Sequence, residues 1–411
     1  MKCALIGEKL GHSFSKEIHE GLRRYEYELI ELAPSELGPF LKCKDFDGLN
    51  VTIPYKEAVI PYLDEVSYEA SEAGAVNTIV NRSGRLIGYN TDIGGMTKLI
   101  EKSAVSLEGK TVLIAGTGGT SKTASYVAEN LRAAEIMRVS RSEREGAISY
   151  EKAYADYSHA EIIINTTPCG MYPNTDAVPL DIGKFPRAEL VIDAIYNPLK
   201  TKLVRDAKRM GIKASGGLYM LVAQALLSAE LFSDEAIPAE LYDMMYEEIK
   251  RDKSNIVLVG MPGSGKSYYG EMLSKQLGRE LVDTDDVITA EEGMQVKEIF
   301  ENKGEEYFRN LESSVIKRVS ESGGKIISTG GGAILRAENI DALSSNGRII
   351  FLNRRVEELI PTSDRPLADN ADKIRELYEK RLPIYKAAAD VIIDVEGWDE
   401  GIADKIWGAM L

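Results

Sequence analysis

Cysteine, histidine and tryptophan are scarce: three, three and two residues in a chain of 411. Cys3, Cys43 and Cys169 are odd in number and lack CxxC spacing, which argues against a disulfide framework and a cysteine zinc site and suits a reducing cytoplasm. The three histidines, His12, His19 and His159, are too scattered to suggest histidine-built chemistry. No apolar run approaches the ~20 residues of a membrane span, and the opening MKCALIGEKLGHSFSK turns polar too soon for a signal-peptide core. Positive charge is also short, with 50 Lys and Arg against 65 Asp and Glu and a formal net charge of −15. That sign excludes a protein that lives on nucleic acid or anionic lipid, so anionic small molecules must be held by a few local cations.

What is present is ordinary globular composition, 44% hydrophobic and 28% charged, at a length that suits two or three domains. Short apolar runs alternate with longer amphipathic stretches: Lys2–Gly7, Gly48–Ile53, Thr111–Ala115, Ile136–Ser140, Glu161–Asn165, Leu190–Ala194, Asn255–Val259, Lys325–Ser328 and Arg348–Leu352. This is an α/β pattern with mostly parallel sheets. Leu241, Met245 and Ile249 share one helix face before the charged run Lys250-Arg251-Asp252-Lys253-Ser254, which places a linker at 251–255. A softer boundary falls near Ser106–Gly109. The expected domains are 1–105 together with helices from about 225 to 250, then 106–224, then 256–411.

After the strand Thr111–Ala115 comes Gly116-Thr117-Gly118-Gly119-Thr120-Ser121 and a helical stretch to about Leu131. Glycines there permit a tight turn and close backbone approach, so the helix N-terminus can hold a pyrophosphate. The motif departs from GxGxxG at Ser121. The next strand ends in Ser140-Arg141-Ser142, where an NAD site would place an acid for the ribose 2′-hydroxyl; an arginine with hydroxyl neighbours suits the 2′-phosphate of NADP. Arg138 and Arg144 are secondary cations nearby.

Lys56 stands just past a buried strand and Asp92 just past a hairpin through Ser83-Gly84-Arg85. Brought together they make a proton-transfer pair, although Lys56 alone would read as a surface ion-pair partner. Gly11-His12-Ser13-Phe14-Ser15, Asn50-Val51-Thr52-Ile53-Pro54-Tyr55-Lys56, Gly74-Ala75-Val76-Asn77-Thr78, Asn90-Thr91-Asp92 and Met220-Leu221-Val222-Ala223-Gln224 in this order resemble shikimate dehydrogenase over residues 1–250. The resemblance implies NADPH-linked reduction of 3-dehydroshikimate to shikimate. It makes Lys56 and Asp92 the catalytic pair, with Ser13, Ser15, Thr52, Asn77, Tyr196 and Gln224 on the substrate and Thr166 and Gly217 beside the cofactor. Lys16 departs from the proline usual in the first motif.

Gly260-Met261-Pro262-Gly263-Ser264-Gly265-Lys266-Ser267 follows the strand Asn255–Val259 and is a full GxxxxGK[ST] phosphate loop. Its backbone N–H groups, Ser264 among them, would cradle phosphates, Lys266 would reach the β and γ oxygens, and Ser267 would ligate Mg²⁺. Leu281-Val282-Asp283-Thr284-Asp285 reads as a short strand end whose two carboxylates, at alternate positions, point to one side. With Phe308-Arg309, Glu312, Gly330-Gly331-Gly332, Arg365-Pro366-Leu367 and Arg381-Leu382-Pro383-Ile384-Tyr385 the stretch 255–411 resembles shikimate kinase. That implies ATP-dependent phosphorylation of the shikimate 3-hydroxyl. Asp285, Arg309, Arg381 and the Gly330, Gly331 and Gly332 backbone would hold shikimate, Asp283 would support Mg²⁺, and Arg365 would meet the transferring phosphoryl group from a lid. The segment 357–364 lacks the second lid arginine usual in that family.

The two resemblances imply one bifunctional enzyme of small-molecule substrates, using NADP(H), ATP and Mg²⁺. A catalytically silent half acting as a binding module, or a related substrate such as quinate, stays open at this point, as does the oligomeric state.

Overall fold

The computed structural model describes residues 1–11, 13–142, 146–359 and 371–410. Contacts divide the chain into Met1–Ile249 and Lys250–Leu411.

Among the described residues the first unit holds two six-stranded sheets. One contains β1 (Lys2–Gly7), β2 (Glu26–Glu31), β3 (Gly48–Val51), β4 (Glu65–Val66), β5 (Thr78–Arg82) and β6 (Arg85–Tyr89), in the order β2-β1-β3-β5-β6-β4. It is mixed, because β5 runs antiparallel to both β3 and β6. The other contains β7 (Thr111–Ala115), β8 (Glu135–Val139), β9 (Ala147–Ile148), β10 (Ile162–Asn165), β11 (Leu190–Asp193) and β12 (Lys213–Ser215), in the order β12-β11-β10-β7-β8-β9. Every pairing in it is parallel. Val112 and Ile114 enter one core and Leu113 and Ala115 another, the double-sided burial that makes a parallel strand a continuous apolar run. The chain order reverses between β7 and β10, and the loop after β7 opens at that switch point, where doubly wound folds bind nucleotides.

Among the described residues the second unit holds a five-stranded parallel sheet of β13 (Asn255–Val259), β14 (Leu281–Asp283), β15 (Ile326–Ser328), β16 (Gly347–Arg354) and β17 (Val391–Val395), in the order β14-β15-β13-β16-β17. Central β13 sends Val257 and Val259 to one face and Ile256 and Leu258 to the other. Its carboxyl end carries the phosphate loop.

Three expectations need correction. The stretch 251–255 is not a free linker, because the helix Ala239–Lys253 runs through most of it and β13 begins at Asn255. The carbonyls of Arg251 and Ser254 accept hydrogen bonds from Arg279, each at 2.9 Å, which builds these charged residues into the fold. The boundary after 224 cuts an unbroken helix, Leu218–Ser233, whose Tyr219 and Met220 pack in the β7 core while Phe232 packs against β1 residues. Finally, Asp283 and Asp285 do not alternate along a strand. Asp283 ends β14 and caps the helix Thr284–Glu292, accepting from the Asp285 N–H at 3.0 Å, so Asp285 lies in that helix's first turn.

Candidate active sites

In the first unit, β3 and the start of the helix Thr91–Lys102 bring Lys56 and Asp92 together, with Lys56 Nζ donating to Asp92 Oδ2 at 2.6 Å. Both side chains are largely shielded, at 16% and 8% exposure, so the pair is weakly screened by solvent. Asn77 and Gln224 are buried and adjacent, Asn77 Nδ2 lying 3.3 Å from Gln224 Oε1. Gln224 is therefore not a solvated helix-surface residue. Ser13 accepts from the Ser15 N–H at 3.2 Å and is hydrogen-bonded to Tyr196, whose hydroxyl burial pushes up in pKa. Ser15 is buried and Thr52 half-buried against Gly7. His12 lies outside the described residues.

The dinucleotide loop borders this pair. A Cβ on Gly119 would sit 3.8 Å from the Lys56 side chain, so the start of the helix Gly119–Asn130, with Gly118 as its cap and Thr120 in its first turn, faces Lys56. Gly116 has φ of 118° and its absent Cβ would lie 2.4 Å from Thr166 Oγ1, which only glycine accommodates. Thr166 in turn donates to the Ala115 carbonyl at 2.7 Å. Gly217 passes so close to Ala194 that a Cβ would meet its carbonyl oxygen at 2.2 Å. Ser140 is half-buried and Arg141 and Ser142 are exposed just past β8. A cradle that a Cβ would fill, a helix N-terminus and an exposed cation beyond the second strand fit NADP. Arg138 donates to the Gly146 carbonyl at 3.2 Å, and Arg144 lies outside the described residues.

In the second unit a cavity of about 530 Å³ is lined by Asp283, Asp285, Arg309, Glu312, Gly330, Gly331, Gly332 and Arg381, among others. Arg309 donates to Glu312 at 2.7 Å and to Glu305 at 3.2 Å. Arg381 donates to the Gly331 carbonyl at 3.0 Å. A Cβ on Gly330 would meet both Asp285 Oδ1 and Glu312 Oε1 at 2.7 Å, and those two oxygens are buried without a hydrogen bond. Such orphaned acceptors in a cavity are places for substrate hydroxyls. Burial first, and then the Asp283 and Glu312 carboxylates, push Asp285 up to about 6 against the opposing pull of Lys266 and Arg309. A carboxylate poised there can accept a proton near neutral pH.

Gly263 and Gly265 take positive φ in the phosphate loop, and buried Lys266 donates to the Gly260 and Met261 carbonyls at 3.0 Å each. Ser264 is buried with a free hydroxyl oxygen. Ser267 donates to Asp283 at 2.8 Å, and Ser328 donates to the same oxygen at 2.8 Å. This hydroxyl–carboxylate oxygen set fits Mg²⁺, which takes one or two protein ligands plus substrate phosphates and waters. Among the described residues no group of three or more His, Cys, Asp or Glu is arranged to hold a metal alone. Ser328 and Glu312 had no assigned role from sequence; Ser328, directly before Thr329 and the three glycines, sits where a strand end feeds the site. Arg365 lies outside the described residues.

These two constellations define a dinucleotide-binding α/β oxidoreductase joined to a P-loop phosphotransferase. A family model for the shikimate dehydrogenase substrate-binding domain matches residues 5–79, and one for shikimate kinase matches residues 262–410. The NADP(+) shikimate dehydrogenase of Clostridium perfringens strain 13 is 37% identical over 263 residues, covering 60% of this chain and 97% of that protein. The crystal structure of shikimate dehydrogenase 1 from Peptoclostridium difficile is similar with a TM-score of 0.57 at 35% identity, covering 61% of this chain and 98% of that one. The Thermus thermophilus shikimate 5-dehydrogenase, solved with NADP(H) and shikimate, has a TM-score of 0.55 at 29% identity, over 60% of this chain and 99% of that one. The chain belongs to the shikimate dehydrogenase family and carries a shikimate kinase domain at its C-terminal end.

Proposed function

We propose that the chain reduces 3-dehydroshikimate to shikimate with NADPH and then phosphorylates shikimate at its 3-hydroxyl with ATP and Mg²⁺. The observation that carries this reading is the Lys56–Asp92 pair against the dinucleotide loop in the same chain as a shikimate kinase domain. NADPH, when bound, supplies the hydride. Lys56, held by Asp92, delivers the proton to the reduced carbonyl oxygen, while Ser13, Ser15, Thr52, Asn77, Tyr196 and Gln224 orient the ring substituents and carboxylate. Arg141 with Ser140 and Ser142 selects the 2′-phosphate.

In the kinase half Arg309 and Arg381 grip the shikimate carboxylate. Asp285 takes the proton of the attacking hydroxyl, the Gly330 to Gly332 backbone shapes the ring site, and Lys266 offsets charge on the transferring phosphoryl group together with Arg365. Ser267 and Asp283 are the residues that would hold Mg²⁺. The product of the first reaction is the acceptor of the second. Three free cysteines support a reducing, cytoplasmic setting. No described helix is long and apolar enough to cross a membrane.

The test is one coupled assay on the full chain, with 3-dehydroshikimate, NADPH, ATP and Mg²⁺. Shikimate 3-phosphate should accumulate, and ATP should pull NADPH oxidation past the point at which it stops without ATP. Accumulation of shikimate alone would leave the kinase half silent; no NADPH oxidation would remove the dehydrogenase reading.

A further inference from the structure

Beneath the dehydrogenase residues lies a buried hydroxyl that four elements share. Ser228, on the helix Leu218–Ser233 and fully buried, donates to the Gln224 carbonyl at 2.8 Å and accepts from Asn50 Nδ2 at 2.7 Å. Its oxygen is also 2.9 Å from Thr78 Oγ1 and 3.0 Å from Thr91 Oγ1. Asn50 is on β3, Thr78 on β5 and Thr91 opens the helix Thr91–Lys102. A serine hydroxyl has one proton and two lone pairs. With the proton given to Gln224 and one lone pair to Asn50, the other serves one of the two threonines.

The chain neighbours of these partners are the residues placed on the substrate. Thr78 follows Asn77, Thr91 precedes Asp92, and Gln224 is one helical turn before Ser228. Asn77 Oδ1 accepts from the Thr91 N–H at 2.7 Å and lies 3.1 Å from the hydroxyls of both Thr78 and Thr91. The Asn90 side chain leaves this helix start uncapped, so Asn77, just ahead of β5, caps it instead. That fixes the Asn77 oxygen towards the helix and its amide nitrogen towards Gln224. Close approach of the two helices is possible because a Cβ on Gly95 would come within 2.7 Å of the Met220 carbonyl.

We propose that Ser228 is a positioning residue for the dehydrogenase: its hydroxyl holds Thr78 and Thr91 so that Asn77 presents its amide to substrate. This rests on the dehydrogenase reading above. Losing the hydroxyl takes a buried acceptor from Asn50 and from one threonine and leaves a small void, so the threonine hydroxyls are free to turn away from Asn77 Oδ1, which they now face at 3.1 Å. The Asn77 amide then loses its single orientation, while the dinucleotide loop is untouched.

The experiment uses the full chain with Ser228→Ala, Thr78→Val and Thr78→Ser, measuring shikimate oxidation by NADP⁺, kinase turnover and unfolding temperature. Ser228→Ala and Thr78→Val should raise KM for shikimate about tenfold, the ratio expected for one buried hydrogen bond. KM for NADP⁺ should not move, kcat should stay within about twofold, and Thr78→Ser should restore wild-type KM. An unchanged shikimate KM in the valine variant, with or without a lower unfolding temperature, overturns the proposal and leaves the hydroxyl a stabilising contact only. Should Ser228→Ala not fold, the Thr78 pair decides alone. A wild-type chain that does not oxidise shikimate refutes the dehydrogenase reading itself, a result distinct from normal turnover with indifferent variants.

Discussion

Lys56 and Asp92, 36 residues apart in sequence, form a 2.6 Å hydrogen-bonded ion pair at the edge of the dinucleotide loop. On the proposed reading Lys56 supplies the proton to the reduced oxygen. Lys56→Ala should therefore lower dehydrogenase turnover ~10²-fold or more. Phosphorylation of added shikimate by the same preparation should be unchanged. Loss of both activities in a folded variant would refute independent sites.

The kinase should lose activity in acid. Asp285 is pushed up to about 6 from its ordinary 3.8, and it accepts a proton only when ionised. The kcat/KM for shikimate should be full above that value and fall as pH drops through about 6. Glu312→Gln removes a neighbouring negative charge that raises Asp285, so the acid limb should move to lower pH. A limb that stays near pH 6 in this variant would take Asp285 out of the profile.

Cofactor choice should sit in Arg141. Its place just beyond β8 is where a 2′-phosphate would meet a cation, and it is exposed enough to do so. Arg141→Ala should raise KM for NADPH about tenfold or more while leaving NADH nearly unaffected. Equal losses for the two cofactors would defeat the assignment.

The glycine run should tolerate no methyl at its third position. A Cβ on Gly332 would fall 2.3 Å from Arg309 Nη1, and Arg309 is already tied to Glu312 and Glu305. Gly332→Ala should displace the guanidinium and raise KM for shikimate about tenfold or more, with ATP less affected. Steady-state titration of each substrate at saturating levels of the other separates the two.

How far the sequence could be read depended on how local each signal is. Thr111–Ala115 and Asn255–Val259 were visible with their observed limits, because strands buried on both faces are unbroken apolar runs ended by glycine. Edge strand β2, Glu-Tyr-Glu-Leu-Ile-Glu, was not, since its half-exposed, charge-interrupted pattern resembles loop or helix. Glycine loops and Lys56 could be found because each is a short motif. Asp283 and Asp285 were seen but given the wrong geometry, as strand alternation and an Asp helix cap use the same spacing. The Ser228 hub could not be read at all. Its partner Asn50 is 178 residues away, and a serine inside an apolar helix carries no sign of what it meets across the fold.

The helix ending at Lys253 bears on where the chain can be divided. Anyone wishing to express the phosphotransferase alone would be drawn to start at Asn255, where its first strand begins. That cut discards the Arg251 and Ser254 carbonyls that receive Arg279, the Arg251 guanidinium stacked 5.0 Å from the Trp407 ring, and the Lys253 backbone, so close to Gly323 that a Cβ there would lie 1.9 Å from its oxygen. A fragment beginning at Asn255 should be poorly soluble or melt early. One that keeps the preceding helical turn retains the native underside of its sheet, and natural or engineered gene fission at this point would have to copy those few codons into the downstream reading frame.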